Sequence, residues 1–515
     1  MKDKVLIFQK RLQNLPQHLS QIEKIILLVL FLAIVTSSFL SLNHRLNRSL
    51  VPNFNKTFTE AVSGDIRCLI PILKQNEVEK DISRLLFSSL IKFNEKREVV
   101  PDLAEKWEIS PDGKNYTFYL RQARWQDNEK ITADDVVFTF SQIKNEQIQS
   151  PYFDCFSKID IQKKDENTVN FSLQKPFAPF LSSLTIPILP EHALKTSGRM
   201  VDSPFAKKPI GSGPFILDKI EQNRNIITVF LKPNSDYFGG KSKLDKFIFN
   251  IYATDDEAST AFAKKEVDGF FADKQKEGKS YQTKLPNIKV AYFNLEKPYL
   301  SKDLRKALAL ATNRDEIISS GISGEKIYFP ILPGFLGYKE SEKYDYNLEQ
   351  AKKSFAHAKN KPDKLILFTK PDENSQKVAE ILKKQWEALG AKIEIQTEDE
   401  SNFDIMLLGV NQKADPDPYP FWHSSQAKND GLNFSSYGNK EVDKLLESAR
   451  QTLDANIRKQ NYEKFVDLLM TDIPAIFLYQ SINKYYVSDN VKGVGDILGV
   501  TRADRFNNIT NWDIR

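Results

Sequence analysis

The stretch from Val100 to Phe140 limits the possible folds of this chain more than any other, because several local signals follow one another within it. Residues Ser110–Gly113 suit a β-turn, since Pro fixes φ at the second position and Gly ends the turn. Apolar and polar side chains then alternate over residues 116–120, which indicates a strand with one buried face. Thr132 is a good helix N-cap, and Asp135, three residues later, completes a capping box. The stretch therefore predicts turn, strand and helix in that order.

Length and composition indicate a globular protein with more than one domain. A chain of 515 residues is long enough to bury two or more cores. Charged residues at 27% and hydrophobic residues at 41% are ordinary values, so long disorder is not expected after the N-terminal region. The net charge of +5 is small for this length, and no basic stripe with interleaved aromatic residues occurs. We therefore expect no nucleic-acid partner.

The N-terminal region carries a signal for membrane anchoring. Residues 25–42 form an uncharged apolar run. This run reaches the ~18 residues that indicate a membrane span and exceeds the ~7–15 residues of a signal-peptide core. Basic residues before the run predict a cytoplasmic tail over residues 1–24. We expect a single-pass transmembrane signal anchor in the cell membrane, then a linker over residues 43–57, with the remaining chain on the extracytoplasmic side. Cleavage after Ser38 or Ser41 is the open alternative.

A search for catalytic and metal-binding motifs finds none that is complete. The five histidines are scattered, without a pair at metal-ligand spacing. Gly211–Phe215 is rich in glycine, but no Lys-Ser/Thr pair follows and Pro214 removes a donor, which excludes a phosphate-binding P-loop. Cys68 and Cys155 form one disulfide in an oxidising compartment or remain buried free thiols. We therefore predict that the chain is not an enzyme and uses no metal or cofactor.

The second half of the chain contains a strand–helix–strand pattern. Residues 365–368 indicate a strand, a helix follows over about residues 375–389, and Ile393–Ile395 indicates a second strand. Phe403–Val410 is apolar except for Asp404, as expected for a strand buried on both faces of a sheet. This succession predicts a βαβ unit.

An ordered set of residues gives the chain a family resemblance. The set comprises Pro101, Leu103-Ala104, Trp107, Asp112-Gly113, Tyr116-Thr117-Phe118, Leu120-Arg121, Trp125-Gln126-Asp127, Thr132-Ala133-Asp134-Asp135-Val136 and Phe138. It resembles the signature of solute-binding protein family 5, the oligopeptide- and dipeptide-binding components of ABC importers. Further blocks match in order over about residues 61–500, among them Gly211–Phe215 and Asn234–Lys241. One departure is Asn128, where the family usually has Gly, and Asn tolerates the left-handed conformation that such a turn needs.

The resemblance implies a fold and a set of domain limits. The expected fold is α/β, a bilobal periplasmic-binding-protein fold of type II and of the peptide-binding class with an extra subdomain, preceded by the transmembrane helix. The large lobe is expected over residues 58–252, with an inserted subdomain at about residues 90–200. The small lobe is expected over residues 253–480, and residues 481–515 return to the large lobe.

The resemblance also implies where the ligand binds. In relatives, a buried Asp that meets the amino terminus of a peptide lies between a Gly-Trp-containing strand and a Pro-Asp-Pro turn. If residues 416–418 anchor the match, Asp415 takes this role. If Gly409 anchors it, the counterpart is Lys413 and the amine site is lost. A third interpretation is that Asp415 and Asp417 only set the geometry of the turn. The expected ligand-binding residues are Asp415, Asp417, Asn411, Gly409, Ser88, Ser89 and Trp422.

The resemblance finally implies a function. We expect the extracytoplasmic component of an ABC importer, a monomer that captures peptides between its lobes by hinge closure and delivers them to permease and ATPase subunits. Three alternatives remain open. The same fold could bind a sugar, haem or a nickel chelate, for which His423 alone gives weak support. The chain could be a membrane-anchored receptor or chaperone without transport, or a hydrolase.

Overall fold

The computed structural model describes residues 56–195, 199–223, 225–272, 279–428 and 431–515. The cytoplasmic tail and the transmembrane helix expected over residues 1–42, with nearly all of the linker, lie outside these residues. Within the described ranges, no helix has both the length and the hydrophobicity that a membrane span requires.

The secondary structure alternates short strands and helices along the described chain. The strands are β1 (Thr57–Ser63), β2 (Ile91–Phe93), β3 (Val99–Pro101), β4 (Ala104–Ile109), β5 (Asn115–Leu120), β6 (Asp160–Asp165), β7 (Thr168–Ser172), β8 (Phe215–Asn223), β9 (Ile226–Pro233), β10 (Lys246–Tyr252), β11 (Gly269–Ala272), β12 (Ser280–Phe293), β13 (Gly324–Lys326), β14 (Leu365–Thr369), β15 (Ile393–Gln396), β16 (Ile405–Asn411), β17 (Ala475–Val487), β18 (Val491–Lys492) and β19 (Asp513–Ile514). The α-helices are α1 (Glu77–Leu86), α2 (Ala133–Ile143), α3 (Phe153–Phe156), α4 (Glu191–Leu194), α5 (Asp255–Ala263), α6 (Lys302–Ala311), α7 (Arg314–Ser319), α8 (Leu348–His357), α9 (Glu373–Glu387), α10 (Tyr419–Trp422), α11 (Lys440–Gln451) and α12 (Ala455–Asp472). Short 3-10 helices lie at Glu146–Ile148, Ala178–Ser183, Met200–Asp202, Pro204–Ala206, Ser424–Gln426, Arg502–Phe506 and Ile509–Asn511.

The main sheet is mixed and connects most of these elements. Its strand order is β15-β14-β16-β12-β17-β11-β1-β10-β9-β8, and β13 pairs with β17 outside this path. β14 is parallel to both β15 and β16, which confirms the predicted βαβ unit with α9 as its helix. A separate antiparallel sheet has the order β4-β5-β7-β6. Together these elements give the α/β class that the sequence predicted.

Buried apolar side chains form two large cores, and β12 and β17 contribute to both. The first core extends from Phe58 to Phe271 and resumes at Tyr485, while the second lies within Ile288–Tyr479. β12 and β17 are antiparallel, and their register shifts between Lys284 and Ile288, where the chain passes from one core to the other. These two strands therefore join two lobes, as the bilobal prediction requires.

The passage between lobes lies later in the chain than the sequence suggested. The expected boundary at residue 253 is followed by α5 and β11, and β11 pairs with β1 of the first lobe. Val267 and Phe270 pack with Ala61 of β1 in a smaller cluster on that lobe. The chain first passes from the first lobe to the second at β12. Sequence periodicity could not show this, because the partner of β11 lies at the start of the described chain.

The stretch from Val100 to Phe140 has the predicted turn, strand and helix. The backbone N–H of Gly113 donates to the carbonyl oxygen of Ser110 at 2.8 Å, which closes the turn before β5. Thr132 and Asp135 form a capping box at the start of α2, with the Asp135 carboxylate 2.9 Å from the backbone N–H of Thr132. The local signals in this stretch were therefore sufficient to predict its secondary structure.

Two distant parts of the family signature meet in the first lobe. The side chain of Gln126 accepts from the backbone N–H of Gly211 at 3.0 Å and donates to the carbonyl oxygen of Phe215 at 2.7 Å. A Cβ at Gly211 would lie 1.8 Å from the carbonyl oxygen of Leu86, so only glycine fits there. The glycine-rich turn therefore serves packing within the lobe.

The two cysteines do not form the disulfide that the sequence left open. Both are free thiols, Cys68 buried and Cys155 partly buried against the first core. Burial raises the pKa of the Cys68 thiol, which keeps it protonated.

Candidate functional site

β16 leads from the second lobe to the strands that join the lobes. Its last residue, Asn411, lies opposite Asn287 of β12 and accepts a hydrogen bond from the side-chain amide of Asn287 at 2.8 Å. The next residue, Gln412, donates its backbone N–H to the carbonyl oxygen of Pro286 at 2.8 Å. Residues 412–418 then connect β16 to α10, and we call them the 412–418 loop. The loop therefore begins at the junction of the two lobes.

Asp415 in this loop is held by an arginine of α12. The Nη2 atom of Arg458 donates to both carboxylate oxygens of Asp415, at 2.6 and 2.8 Å. Arg458 also donates to the carbonyl oxygen of Ala449 at 3.0 Å and to the hydroxyl of Tyr462 at 3.2 Å. The side chains of Asp415 and Arg458 are 14% and 9% exposed. The pair is thus largely shielded from water.

The electrostatics of Arg458 show how strongly the pair is coupled. Burial by itself lowers the pKa of the guanidinium. The hydrogen bond and the charge of Asp415 outweigh burial and raise the pKa of Arg458 above its ordinary value. The negative charge of Asp415 is therefore compensated inside the protein.

Asp417 is held in the same way by an arginine of α11. Arg450 donates through Nε at 2.8 and 3.1 Å and through Nη2 at 2.6 Å. Its guanidinium carbon lies 3.8 Å from the ring centroid of Tyr419 and 5.3 Å from that of Phe177. Phe177 directly precedes a 3-10 helix of the first lobe, whereas Arg450 belongs to the second. The guanidinium of Arg450 therefore lies at the boundary between the lobes.

Tyr116 of β5 lies on the first-lobe side of this boundary. It is buried, and its hydroxyl has no hydrogen-bond partner among the described residues. Burial raises the pKa of Tyr116 to about 12, and the positive charge of Arg458 across the boundary opposes this rise. Buried hydroxyls are usually hydrogen-bonded. The hydroxyl of Tyr116 is therefore an exception, a buried polar group without a partner among the described residues.

A crevice of about 500 Å³ opens between the lobes on the other side of α11. Pro111 and Gly113 line it from the first lobe, and the C-terminal half of α11 lines it from the second. Asp112 also lines it from the first lobe. The second-lobe lining residues are Lys444, Glu447, Ser448, Gln451, Thr452 and Leu453. The side chain of Leu453 lies 3.3 Å from the position that a Cβ would take at Gly113, so the lobes touch at this rim.

Two of the expected binding residues are used inside the first lobe. Ser88 donates its backbone N–H to the hydroxyl of Ser212 at 3.0 Å, and its own hydroxyl donates to the carbonyl oxygen of Ser212 at 3.2 Å. The backbone N–H of Ser89 donates to Asp102 at 2.9 Å, and its hydroxyl donates to the carbonyl oxygen of Thr185 at 2.9 Å. Both serines are buried. The structure does not bring them to the 412–418 loop.

The remaining expected residues belong to the second lobe. Gly409 lies opposite Lys289 in the pairing of β16 with β12. Trp422 is 3% exposed and packs against Tyr292 and Phe477, with ring centroids 5.6 and 6.0 Å apart. The structure thus groups Gly409 and Asn411 with the two aspartates on one segment and places Trp422 in the core.

The ring nitrogens of His423 already contact other side chains, so His423 is a poor candidate for a metal ligand. Its ring stacks on Tyr419 with centroids 4.0 Å apart, and its nitrogens lie 2.8 Å from the Ser425 hydroxyl and 3.3 Å from Glu447. No group of three His, Cys, Asp or Glu side chains suited to a metal ion occurs in the described part of the chain.

Sequence reasoning missed the arginines that hold the two aspartates. A signal for one of them was present, because Arg458 shares a helical face with Tyr462 and Phe465, four and seven residues later. A charged residue on an otherwise apolar helix face needs a buried partner. The sequence could not show that the partner is Asp415.

Comparisons with known proteins agree with this architecture. The sequence model described as "Bacterial extracellular solute-binding proteins, family 5 Middle" matches residues 98–433. A dipeptide-binding protein of Escherichia coli is 30% identical over 508 residues, which cover 86% of this chain and 93% of that protein. The oligopeptide-binding protein AppA of Bacillus subtilis is 29% identical over 468 residues, covering 81% and 85%. The solved structure of NikZ from Campylobacter jejuni in complex with Ni(L-His) has a TM-score of 0.73 and 26% identity, covering 89% of this chain and 99% of that one. This chain therefore belongs to family 5 of the bacterial extracellular solute-binding proteins.

Proposed function

We propose that this chain is the substrate-binding component of an ABC importer and that it captures peptides between its two lobes. The observation that carries the proposal is the pair β12 and β17, which joins two separately packed cores while the 412–418 loop starts at their junction. The names of the dipeptide- and oligopeptide-binding relatives support a peptide as the ligand.

Capture follows from a two-state equilibrium between open and closed lobes. A ligand that touches both lobes binds the closed form more tightly and therefore shifts the population towards it. The irregular register between Lys284 and Ile288 gives the joining strands a point at which to bend. An extended peptide can pair its main chain with strand edges, which leaves its side chains free to vary.

We also propose how the binding unit is held at the membrane and which subunits it meets. Residues 25–42 act as a single-pass anchor in the cell membrane, with residues 1–24 on the cytoplasmic side and the binding unit on the extracytoplasmic side. The monomeric closed form presents both lobes to a permease, and a separate ATPase subunit supplies the energy. The first lobe comprises about residues 58–284 and 485–515, and the second lobe comprises about residues 288–480.

A nickel chelate is the second candidate ligand. The likeness to NikZ, whose structure contains Ni(L-His), favours it. A chelate brings its own metal ligands, so the protein need not supply a complete metal site.

The proposal is tested by the compounds that the protein retains. The full-length chain is purified in a mild detergent and denatured, and the released small molecules are identified by mass spectrometry. We expect a series of short peptides with mixed sequences. A single non-peptide compound or a nickel chelate would contradict the peptide proposal and leave the family assignment intact. A sample carrying Lys464→Gln, a change at an exposed residue of α12, serves as the control and should release the same compounds.

A further inference from the structure

We propose that the 412–418 loop recognises an anionic group of the ligand, such as a peptide carboxylate, and not a peptide amino terminus. This inference rests on the proposed function only in assuming that the ligand enters between the lobes. It reverses the charge that the sequence match to Asp415 implied. The ligand class becomes solutes anchored by a carboxylate, including peptides whose amino terminus is blocked.

The first step is that the negative charge of Asp415 is already compensated by Arg458. Both of its carboxylate oxygens accept from Arg458, and the pair is largely buried. A ligand ammonium at Asp415 would have to share the carboxylate with the guanidinium, so Asp415 attracts it less than a carboxylate without a counter-ion would.

The second step is that Asp417 is occupied as well. Arg450 contacts it through two nitrogen atoms in a bidentate arrangement, the geometry that makes Arg–carboxylate pairs strong. The same guanidinium is fixed from the side by the ring of Tyr419. Asp417 side-chain exposure is 12%, so little of the carboxylate faces solvent.

The third step is that the remaining free charge on the loop is positive. Lys413 is exposed, and the structure records neither an ion pair nor a side-chain hydrogen bond for it within the described residues. It follows Gln412, whose backbone is bonded to that of β12, so the side chain of Lys413 begins near the junction. The recorded hydrogen bonds of Arg450 use Nε and Nη2, which leaves the Nη1 edge for a further acceptor.

The fourth step is that neighbouring groups do not reverse this sign. Tyr116 lies across the boundary from Arg458 and is uncharged at neutral pH, because burial raises the pKa of Tyr116 to about 12. The crevice beyond α11 contains Asp112 and Glu447 as well as Lys444, so it has no single sign. The positive charge of Lys413 therefore decides which ligand group the loop attracts.

Three matched peptides test the inference on the full-length chain in mild detergent. They are trialanine, N-acetyl-trialanine and trialanine amide, and isothermal titration calorimetry gives their Kd values. Blocking the amine should change Kd by no more than about threefold, whereas blocking the carboxylate should weaken binding about tenfold, the loss typical of one charge-assisted hydrogen bond. The reverse order, with N-acetyl-trialanine the weaker ligand, would overturn the inference.

Variants separate the lysine from the aspartate. Lys413→Gln should weaken N-acetyl-trialanine about tenfold, while Lys413→Arg should retain its affinity. Lys464→Gln removes an exposed lysine of α12 and controls for a general charge effect. Asp415→Asn should lower the Tm of the ligand-free chain and keep the order of the three peptides. If Asp415→Asn instead leaves Tm unchanged and abolishes only the binding of trialanine, Asp415 is the amine receptor and the inference is wrong.

If none of the three peptides binds, the peptide proposal fails, and the inference is decided by two small probes. Glutarate and 1,5-diaminopentane have the same chain length and opposite charges. At equal ionic strength, glutarate should raise the Tm of the full-length chain and Lys413→Gln should remove this effect. Equal or better protection by 1,5-diaminopentane, or no protection by glutarate, would count against a carboxylate-binding loop.

Discussion

At the scale of single residues, the lobes are organised around arginines that compensate buried carboxylates. Arg458 and Arg450 do so at the lobe junction, and Arg505 does so inside the first lobe. The sequence match pointed to Asp415 and Asp417 but not to their partners, which lie 43 and 33 residues away. An ion pair between distant residues leaves no local pattern, so this part of the site needed the structure.

The arginine inside the first lobe should be indispensable for folding. Arg505 is fully buried and donates to Glu60 at 2.5 and 3.1 Å and to Asp81 at 2.7 and 2.8 Å. Arg505→Leu removes the salt-bridge partner of the buried Glu60 and leaves Asp81 with Arg502 alone, so we expect a loss of about 3–5 kcal/mol in the free energy of unfolding. Thermal unfolding of the ligand-free chain measures it. Arg67→Leu, which removes an arginine with an 81% exposed side chain, should leave Tm unchanged. Equal Tm values for the two variants would disprove the role of Arg505.

Removing the buried hydroxyl of Tyr116 should raise the free energy of unfolding, in contrast to the decrease expected for Arg505→Leu. Tyr116→Phe removes a buried polar group without a recorded partner and should stabilise the ligand-free chain by about 1 kcal/mol. Because burial raises the pKa of Tyr116 from 10.0 to about 12, the folded state disfavours the tyrosinate. The wild-type chain should therefore lose stability as the pH rises from about 10 to 12, and the variant should lose less. Unfolding curves at pH 9 and pH 11 would show this, and parallel losses in both proteins would contradict it.

At the scale of elements, local signals predicted elements that follow one another along the chain and failed where strands pair over long distances in sequence. The capping box of α2, the turn before β5 and the βαβ unit of β14, α9 and β15 were all predicted correctly. The lobe boundary was not located, because β11 is a short apolar strand whose partner β1 begins the described chain. β12 also contributes to both cores.

The capping box of α2 should contribute more than a helix cap alone. One carboxylate oxygen of Asp135 accepts from the backbone of Thr132 at 2.9 Å, and the other accepts from the backbone of Glu191 at 2.9 Å. Asp135→Ala breaks both bonds in a buried place, so we expect a loss of about 2–4 kcal/mol. Asp134→Ala, the adjacent acidic residue with a 47% exposed side chain, is the matched control and should have little effect. Comparable decreases in Tm for the two variants would show that Asp135 acts only as a first-turn charge.

At the scale of the whole molecule, the lobes touch at several places. Arg450 meets Phe177 beside the 412–418 loop, Leu453 meets Gly113 at the rim of the crevice, and the guanidinium carbon of Arg97 lies 4.5 Å from the ring centroid of Phe335. The joining strands have a shifted register, and Gln480 bridges the irregularity by donating to the carbonyl oxygen of Leu285 at 2.9 Å. Direct contacts between the lobes lower the free energy of closure, so less of it has to come from the ligand.

The rim contact should therefore set how much of the ligand-free protein is closed. Leu453→Asp places a charge against Gly113 and should favour the open form, which raises the radius of gyration measured by small-angle X-ray scattering. Since the apparent Kd is inversely proportional to the closed fraction that remains, a tenfold decrease in that fraction should weaken peptide binding about tenfold. Ile457→Asp introduces the same charge at a residue that is 45% exposed and should change neither quantity. If Leu453→Asp retains both the wild-type radius and the wild-type Kd, the rim contact does not stabilise the closed form, and closure depends on the ligand, the joining strands and the other contacts between the lobes.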